Sequence, residues 1–399
     1  MHNVRKINND LFYVGASDRH LALFESIYPI PEGVSYNSYL IKDTKNVLFD
    51  TVDKSCLLQF YANLEHVLGD ETLDYIVVHH MEPDHAAVLG LLVEKYPEMK
   101  IICNTKTQNM ITQFFDFNIE HKMVIVNEND TFNTGHHELV FCMAPMVHWP
   151  EVMVTYDKTD KILFTADAFG AFGAINGNLY DNEIDWNLYI NEARRYYTNI
   201  VGKLGNQVQA LLKKAANLDI KMICPLHGVI IKEHIKDFVE KYQLWSTYTP
   251  EEKNVMLVYS SVHGNTEAVI NKLASLLADK GIKNIKIYDI SYTDSSKVLA
   301  DAFKYSHIVL ATTTHYNAIF ESMRTFINIL VEHNLQNRTF ALIENGSWAP
   351  CCNKFMKQEL EKIKNTSFIE QEITIKSSLK ENQNAELEIL ANEIVLSLK

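Results

Sequence analysis

Tyr75-Ile76-Val77-Val78-His79-His80-Met81-Glu82-Pro83-Asp84-His85 runs from an apolar β-type segment into five side chains able to bind a metal. Ile76, Val77 and Val78 read as a buried strand, and Pro83 stops it from continuing as a central one because proline brings no amide to the ladder. The polar residues therefore fall on a loop at the strand's end. Such a loop can project several side chains into one cavity while the sheet holds their bases still. His80, Glu82 and Asp84 alternate and His85 breaks the alternation, so the four are not a single solvated face. Any one of these residues alone is usually a satisfied core histidine or a solvated acid; the combination at a strand end points to a metal.

The spacing H-x-E-x-D-H is close to the H-x-H-x-D-H loop of the metallo-β-lactamase fold, with Glu82 where that fold usually has a second histidine. A carboxylate in place of an imidazole hardens the donor set and adds negative charge, moving preference from zinc towards iron. In this the chain resembles the flavodiiron proteins, or A-type flavoproteins, the family of rubredoxin:oxygen oxidoreductases and nitric oxide reductases. Three downstream segments resemble that family's motifs in its order: His148-Trp149-Pro150-Glu151, Phe164-Thr165-Ala166-Asp167-Ala168-Phe169-Gly170 and Pro225-Leu226-His227-Gly228. The resemblance implies that His80, Glu82 and His148 bind one iron, that Asp84, His85 and His227 bind the other, and that Asp167 bridges them. These seven residues would form both the metal site and the catalytic centre. His79 has no ligand role in the family pattern and is expected to pack or orient. Lys54, after Asp50-Thr51-Val52-Asp53, lies in a segment that the family places near the metals.

At 399 residues the chain is long enough for two or three domains, each with its own core. Its 47% hydrophobic and 22% charged residues are ordinary for a soluble globular protein. A net charge of -13 with no visible basic stripe argues against nucleic acid as a partner. The first ten residues lack a signal peptide's apolar core and no run approaches a membrane span, so a cytoplasmic location is expected. The six cysteines form no C-x-x-C pair, which leaves neither a rubredoxin-type iron site nor an iron–sulfur cluster and predicts buried thiols. Cys351-Cys352 reads as a buried or idle pair, and Arg194-Arg195-Tyr196-Tyr197 as the partly exposed face of a helix. His136-His137 after Gly135 reads as a turn.

From Leu11 to about Leu244, short β-rich runs alternate with helical stretches, which fits an αββα sandwich. Strand candidates include Val47-Phe49, Lys100-Cys103, Leu139-Met143, Val152-Tyr156, Lys161-Thr165 and Lys221-Cys224; helices are expected over 86–96, 182–198, 202–216 and 231–244. The polar, proline-interrupted stretch from Ser246 to Asn254 places a boundary near residue 249, giving domains 1–249 and 250–399. Beyond it, strands at 255–259, 285–290, 307–312, 339–344 and 368–375 alternate with helices. They resemble a flavodoxin-like doubly wound parallel sheet.

Ser260-Ser261-Val262-His263-Gly264-Asn265-Thr266 follows the first of these strands and leads into a helix. A small, hydroxyl-rich loop at a helix N-terminus offers a phosphate exposed amides, hydroxyls and the positive end of the helix dipole. The segment resembles the flavodoxin phosphate loop [ST]-x-[ST]-G-[NS]-T, with Val262-His263 as a variation. Thr312-Thr313-Thr314-His315-Tyr316-Asn317 and Asn345-Gly346-Ser347-Trp348-Ala349 follow the third and fourth strands, where a planar cofactor lies in an open parallel sheet. Tyr316 or Trp348 could face an isoalloxazine ring. Many flavodiiron proteins carry G-S-x-G-W at the last loop, so this chain departs from them there.

The resemblance thus implies an oxidoreductase with FMN and two iron ions, reducing O2 to water and/or NO to N2O with electrons from an external donor such as rubredoxin or a flavin reductase. It further implies a head-to-tail homodimer, or dimer of dimers, in which the flavin of one chain serves the iron of another. The alternative is a zinc metallohydrolase of the metallo-β-lactamase fold with an accessory flavodoxin-like domain.

Overall fold

Strands Val47–Phe49 and Tyr75–Val77 are too apolar to have a solvated face, and they sit in the middle of a seven-stranded sheet with both faces covered. The computed structural model describes residues 1–399, and these divide into two compact units, Met1–Gln243 and Leu244–Lys399. The division falls inside helix Ile235–Ser246. Of the stretch expected to link domains, the start is helical and the end, from Glu252, is already strand.

In the first unit the seven-stranded sheet runs in the order Arg5–Lys6, Leu11–Tyr13, Tyr39–Ile41, Val47–Phe49, Tyr75–Val77, Lys100–Cys103 and Met123–Ile125, its last four strands parallel. A five-stranded sheet faces it: Thr131–Asn133, Glu138–Met143, Met153–Asp157, Ile162–Phe164 and Met222–Cys224. Phe49, Val77, Phe141, Met153 and Phe164 fill the space between the sheets, while Leu48 and Ile76 point the other way into a core with helix residues Phe60, Leu64 and Leu89. Alternate residues of one strand thus serve two cores, which produces the helix–sheet–sheet–helix layering of a metallo-β-lactamase-like sandwich.

Two local expectations are corrected. The segment after strand Tyr75–Val77 is not all loop: Pro83–Ala86 is one turn of helix with proline at its start, where the missing amide costs no bond. Arg194 and Arg195 are buried, at 2% and 3% exposure, not on an exposed face. The Arg195 guanidinium lies 4.8 Å over Phe172, pairs with Glu192 at 2.8 Å and donates to the Pro29 carbonyl. Phe172 and Pro29 come from other parts of the chain and leave no local pattern; Glu192 is a partner on the same helix, one turn back.

The second unit is a sheet ordered Lys286–Asp289, Glu252–Tyr259, Tyr305–His315, Thr339–Asn345, with Ser367–Phe368 and Ile373–Ile375 both paired to the last. These pairings are parallel. The fifth strand, expected as one run over 368–375, is thus split in two. Helices Asn265–Asp279, Ser295–Lys304, Glu321–Glu332, Cys352–Leu360 and Asn384–Ser397 alternate with the strands, giving a flavodoxin-like sheet whose order reverses beside Glu252–Tyr259. Arg338, 1% exposed, donates to the carbonyls of Tyr248, Ala302, Phe303 and Gln336, fixing the unit's first residues to its sheet. No helix is long and apolar enough to cross a membrane.

Candidate metal centre and cofactor cleft

The strand ends of the first unit converge. His80 and Glu82 follow strand Tyr75–Val77, Asp84 and His85 ride on the turn Pro83–Ala86, and His148 precedes strand Met153–Asp157. Asp167 follows Ile162–Phe164, and His227 follows Met222–Cys224. The seven form two adjoining groups, His80, Glu82, His148 and Asp167, and Asp84, His85 and His227; within each group the potential ligand atoms lie within 4.8 Å of one another.

Asp167 divides its two oxygens between the groups. Oδ2 stands 3.3 Å from His80 Nε2 and 3.1 Å from His148 Nε2, while Oδ1 stands 3.1 Å from His85 Nε2 and 3.6 Å from His227 Nε2. Glu82 Oε2 completes the first group at 3.2 and 3.0 Å from His80 and His148, and Asp84 Oδ2 the second at 3.4 Å from both His85 and His227. Both Asp84 oxygens, Asp167 Oδ1, His85 Nε2 and His227 Nε2 are buried without a hydrogen-bond partner. Buried polar atoms are rarely left so, and four imidazoles with three carboxylates converging on two points are a donor set for two cations. The residues therefore fit a pair of metal ions.

Burial and neighbouring charge act in opposite directions on these groups. Burial alone would lower the histidines, but Asp167, Glu82 and Glu151 raise His80 well above the usual imidazole range. Against the same burial penalty, Asp84 and Asp167 raise His85 to about 8, and Asp167 and Glu82 raise His148 to about 9. Burial opposes ionisation of Asp167 and Glu82, yet the surrounding histidines hold both below the normal carboxylate range. Side chains of Glu82, Asp84 and His148 retain 16%, 13% and 10% exposure whereas the other four retain at most 1%, so the pocket opens on that side.

Further residues hold the ligands. Glu151 Oε1 accepts from His80 Nδ1 at 2.8 Å and from the Met81 amide at 3.0 Å. His227 Nδ1 meets the Ser35 carbonyl at 2.7 Å. Asp50 accepts from the His79 and His80 amides and reaches His79 Nδ1 at 2.6 Å, while His79 Nε2 meets Thr155 Oγ1 at 2.7 Å. That Asp–His–hydroxyl chain is fully buried and spans both sheets, so His79 orients and ties rather than joining either group. Asp50, Met146, Ala166 and Phe169 have φ between 50° and 66°, strained backbone for non-glycine residues of the kind that gathers at functional sites. Lys54 is exposed on a short 3-10 turn.

Sequence reading missed two neighbours. Tyr196 lies with its ring 5.4 Å from His227 and its hydroxyl buried without a partner; burial, then Asp167, Asp84 and Glu82, push that hydroxyl far up. It fits only because residue 170 is glycine: a Cβ there would stand 2.9 Å from Tyr196 Cε1. Glu25, at the tip of the hairpin Leu23–Phe24/Tyr28–Pro29, is an exposed residue, yet partial desolvation of its carboxyl beside the pocket, and then Glu82, push it up to about 7. Motif spacing cannot find either, because each reaches the site through an unrelated segment.

In the second unit the three predicted loops meet around a cavity of about 510 Å³ lined by Val262, His263, Thr313, Thr314, His315, Tyr316, Asn317, Gly346, Ser347 and Trp348. Helix Asn265–Asp279 starts at Gly264, φ 82°, with no side chain capping its amides, and Ser261 Oγ is buried without a partner. Free amides and an idle hydroxyl at a helix N-terminus fit a phosphate. Ser260, Thr312 and Asn345 do not line the cavity: Ser260 Oγ meets Thr312 Oγ1 at 2.6 Å, and Asn345 is tied to Thr266 and Ser377, so they brace the loops. Gly264, Asn265, Thr266 and Ala349 also lie outside the lining, the first three forming the start of the helix. Cys351 and Cys352 are both free thiols.

Residues 34–228 match the family model described as ODP family beta lactamase. An uncharacterized protein of Methanocaldococcus jannaschii is 31% identical over 355 residues, covering 89% of this chain and 88% of that one. The anaerobic nitric oxide reductase flavorubredoxin of Aeromonas hydrophila is 30% identical over 348 residues, covering 86% of this chain and 70% of that protein. Among solved structures, the rubredoxin oxygen:oxidoreductase of Desulfovibrio gigas superposes with a TM-score of 0.92 at 24% identity, covering 99% and 98% of the two chains. The flavodiiron protein of Giardia intestinalis superposes at 0.91 and 23%, with the same coverage. At these identities the superpositions establish a shared fold.

Proposed function

The chain belongs to the flavodiiron proteins, oxidoreductases of O2 and NO reduction, and from that premise we propose that it reduces O2 to water and/or NO to N2O at a di-iron centre fed by FMN. The observation that carries the reading is the split of the Asp167 carboxylate, one oxygen towards each donor group. His80, Glu82 and His148 would hold one iron, Asp84, His85 and His227 the other, with Asp167 between them; the three loops of the second unit would hold FMN. Two ferrous ions and a reduced flavin supply four electrons when bound, the number that takes O2 to two waters.

The chain's own residues do the rest. Carboxylates in the donor set favour the oxidised metal, which inclines the reduced centre to give electrons away. The exposed edge formed by Glu82, Asp84 and His148 admits a small molecule, while Phe24 and Tyr196 pack against His227 and shield that side chain from bulk water. Desolvation and the neighbouring Glu82 raise the Glu25 carboxyl to about 7, which suits it to carry a proton at this edge of the pocket.

Electrons would come from a separate donor such as rubredoxin or a flavin reductase. Tyr316 and Trp348, 92% and 80% exposed at the rim of the flavin cavity, are surfaces that a second copy in a head-to-tail dimer or dimer of dimers would cover. Rapid NADH oxidation under O2 by the purified protein with nothing added would remove the need for that donor, and an active monomer in light scattering would remove the dimer. The hydrolase alternative requires zinc and an idle flavin site, so metal analysis separates the two. The decisive test of the main reading is anaerobic reduction of the iron- and FMN-loaded protein followed by stopped-flow mixing with O2 and, separately, with NO. Oxidation of flavin and iron by at least one gas within catalytic times is expected; a centre inert to both would refute it.

A further inference from the structure

The four histidines of the pocket are not supported alike. His227 Nδ1 faces a neutral carbonyl, that of Ser35, and His85 Nδ1 has no hydrogen-bond partner. His80 Nδ1 alone of these three faces an anion, Glu151 Oε1 at 2.8 Å. That carboxylate is fully buried, its second oxygen has no partner, and its first also accepts from the Met81 amide. Its backbone is held as well: the Glu151 carbonyl accepts from Asn104 Nδ2 at 2.6 Å, and Asn104 Oδ1 caps helix Thr105–Phe114.

An imidazole that donates Nδ1–H to a carboxylate has its tautomer and ring orientation fixed and its Nε2 made more basic. A charge buried with one oxygen unsatisfied is also costly unless a cation stands nearby. Both effects act on the same side of the pocket.

On this basis, and resting on the reading that the pocket takes two metal ions, we infer that Glu151 is a positioning residue that makes the halves of the centre unequal. By accepting from His80 Nδ1 it presents Nε2 to the ion shared with Glu82 and His148 and adds a further negative charge, beyond those of Glu82 and Asp167, behind that histidine. The ion held by Asp84, His85 and His227 has no such support. The first ion is therefore bound more tightly than the second.

The test is anaerobic titration of the metal-free full-length protein with Fe²⁺ against a chromogenic chelator, with His148→Asn and His227→Asn identifying which binding step belongs to which group. Wild-type protein is expected to fill in two separated steps, and Glu151→Gln to weaken only the tighter one, that abolished by His148→Asn, by about 10- to 100-fold. The looser step should not move. Glu151→Asp keeps the charge but withdraws it from reach and should weaken the same step; this variant decides the matter if Glu151→Gln fails to fold. Wild-type affinities in the variant, equal weakening of both steps, or loss confined to the His227 step would each overturn the inference. Absence of Fe²⁺ binding by wild-type protein would instead refute the underlying two-metal reading.

Discussion

Replacing His137 by glutamine should destabilise the first unit in a pH-dependent way. His137 is buried between two carboxylates, with Nδ1 2.8 Å from Asp157 Oδ2 and Nε2 3.1 Å from Asp10 Oδ2. Burial opposes its protonation, but Asp157 and Asp10 outweigh that and raise it from 6.5 to about 9. A shift of that size corresponds to a ceiling of about 3 kcal/mol. Asp10 keeps 24% exposure, and screening there reduces the working figure to about 2 kcal/mol. Because the folded-state value lies above the unfolded one, the stabilisation is fully present below pH 6.5 and disappears as pH rises through 9. For a unit of this size, about 2 kcal/mol is roughly 4–8 °C of melting temperature. Melting of wild type and His137→Gln, followed in the transition that reports Trp149 and Trp186, should show a gap that much wider at pH 6 than at pH 9.5. The histidines of the metal pocket are common to both proteins and cancel in the difference. A gap of equal size at both values would mean that His137 acts only through packing and neutral hydrogen bonds.

Four further outcomes are expected. Asp167→Asn should lower iron content at both positions, because each oxygen serves one group; elemental analysis per chain would check this, and loss of one ion alone would contradict it. Fe²⁺ affinity should rise from pH 6 to 9, since His85 at about 8, His148 at about 9 and His80, also raised, must release protons to bind; a flat profile in chelator competition would count against the assigned ligands. Gly264→Val should weaken FMN about tenfold by straining a position with φ 82°, read by quenching of flavin fluorescence, with Ile394→Val as a distant control of similar size. Arg338→Met should cost the second unit at least about 3 kcal/mol in urea unfolding, because several buried carbonyls lose their donor together.

Much of the metal pocket was legible because its donors sit at strand ends within short, regular motifs. His80, Glu82, Asp84 and His85 are consecutive enough to read directly, and His148, Asp167 and His227 each follow or precede an apolar run. What stayed hidden depends on contacts between distant segments. Glu151 lies in plain view beside His148, yet nothing in its spacing says that its carboxylate turns back to His80 Nδ1. Arg194 and Arg195 look like a solvated face until Phe172, Glu192 and Pro29 close around Arg195. His137 was readable as part of a turn but not as the meeting point of Asp10 and Asp157. The short hairpin that brings Phe24 and Glu25 to the pocket has only two residues in each arm, too few for periodicity to register. Around the cavity of the second unit, loop position was legible, but the turn of Ser260, Thr312 and Asn345 away from it was decided by neighbours across the sheet.

The chain from Asp50 through His79 to Thr155 joins the end of one sheet to the middle of a strand in the other. Since ligands also come from both sheets, whatever occupies the pocket acts as a rivet across their seam. Emptying it would leave the Asp50–His79–Thr155 thread, the Met153 amide on the His79 carbonyl, the Glu151–His80 and Tyr39–Pro225 bonds and the apolar filling to keep the layers in register. Apo-protein should then open first along this line, and amide exchange at Val78–Met81 and Met153–Thr155 would be the earliest sign of metal loss, before any change in secondary structure.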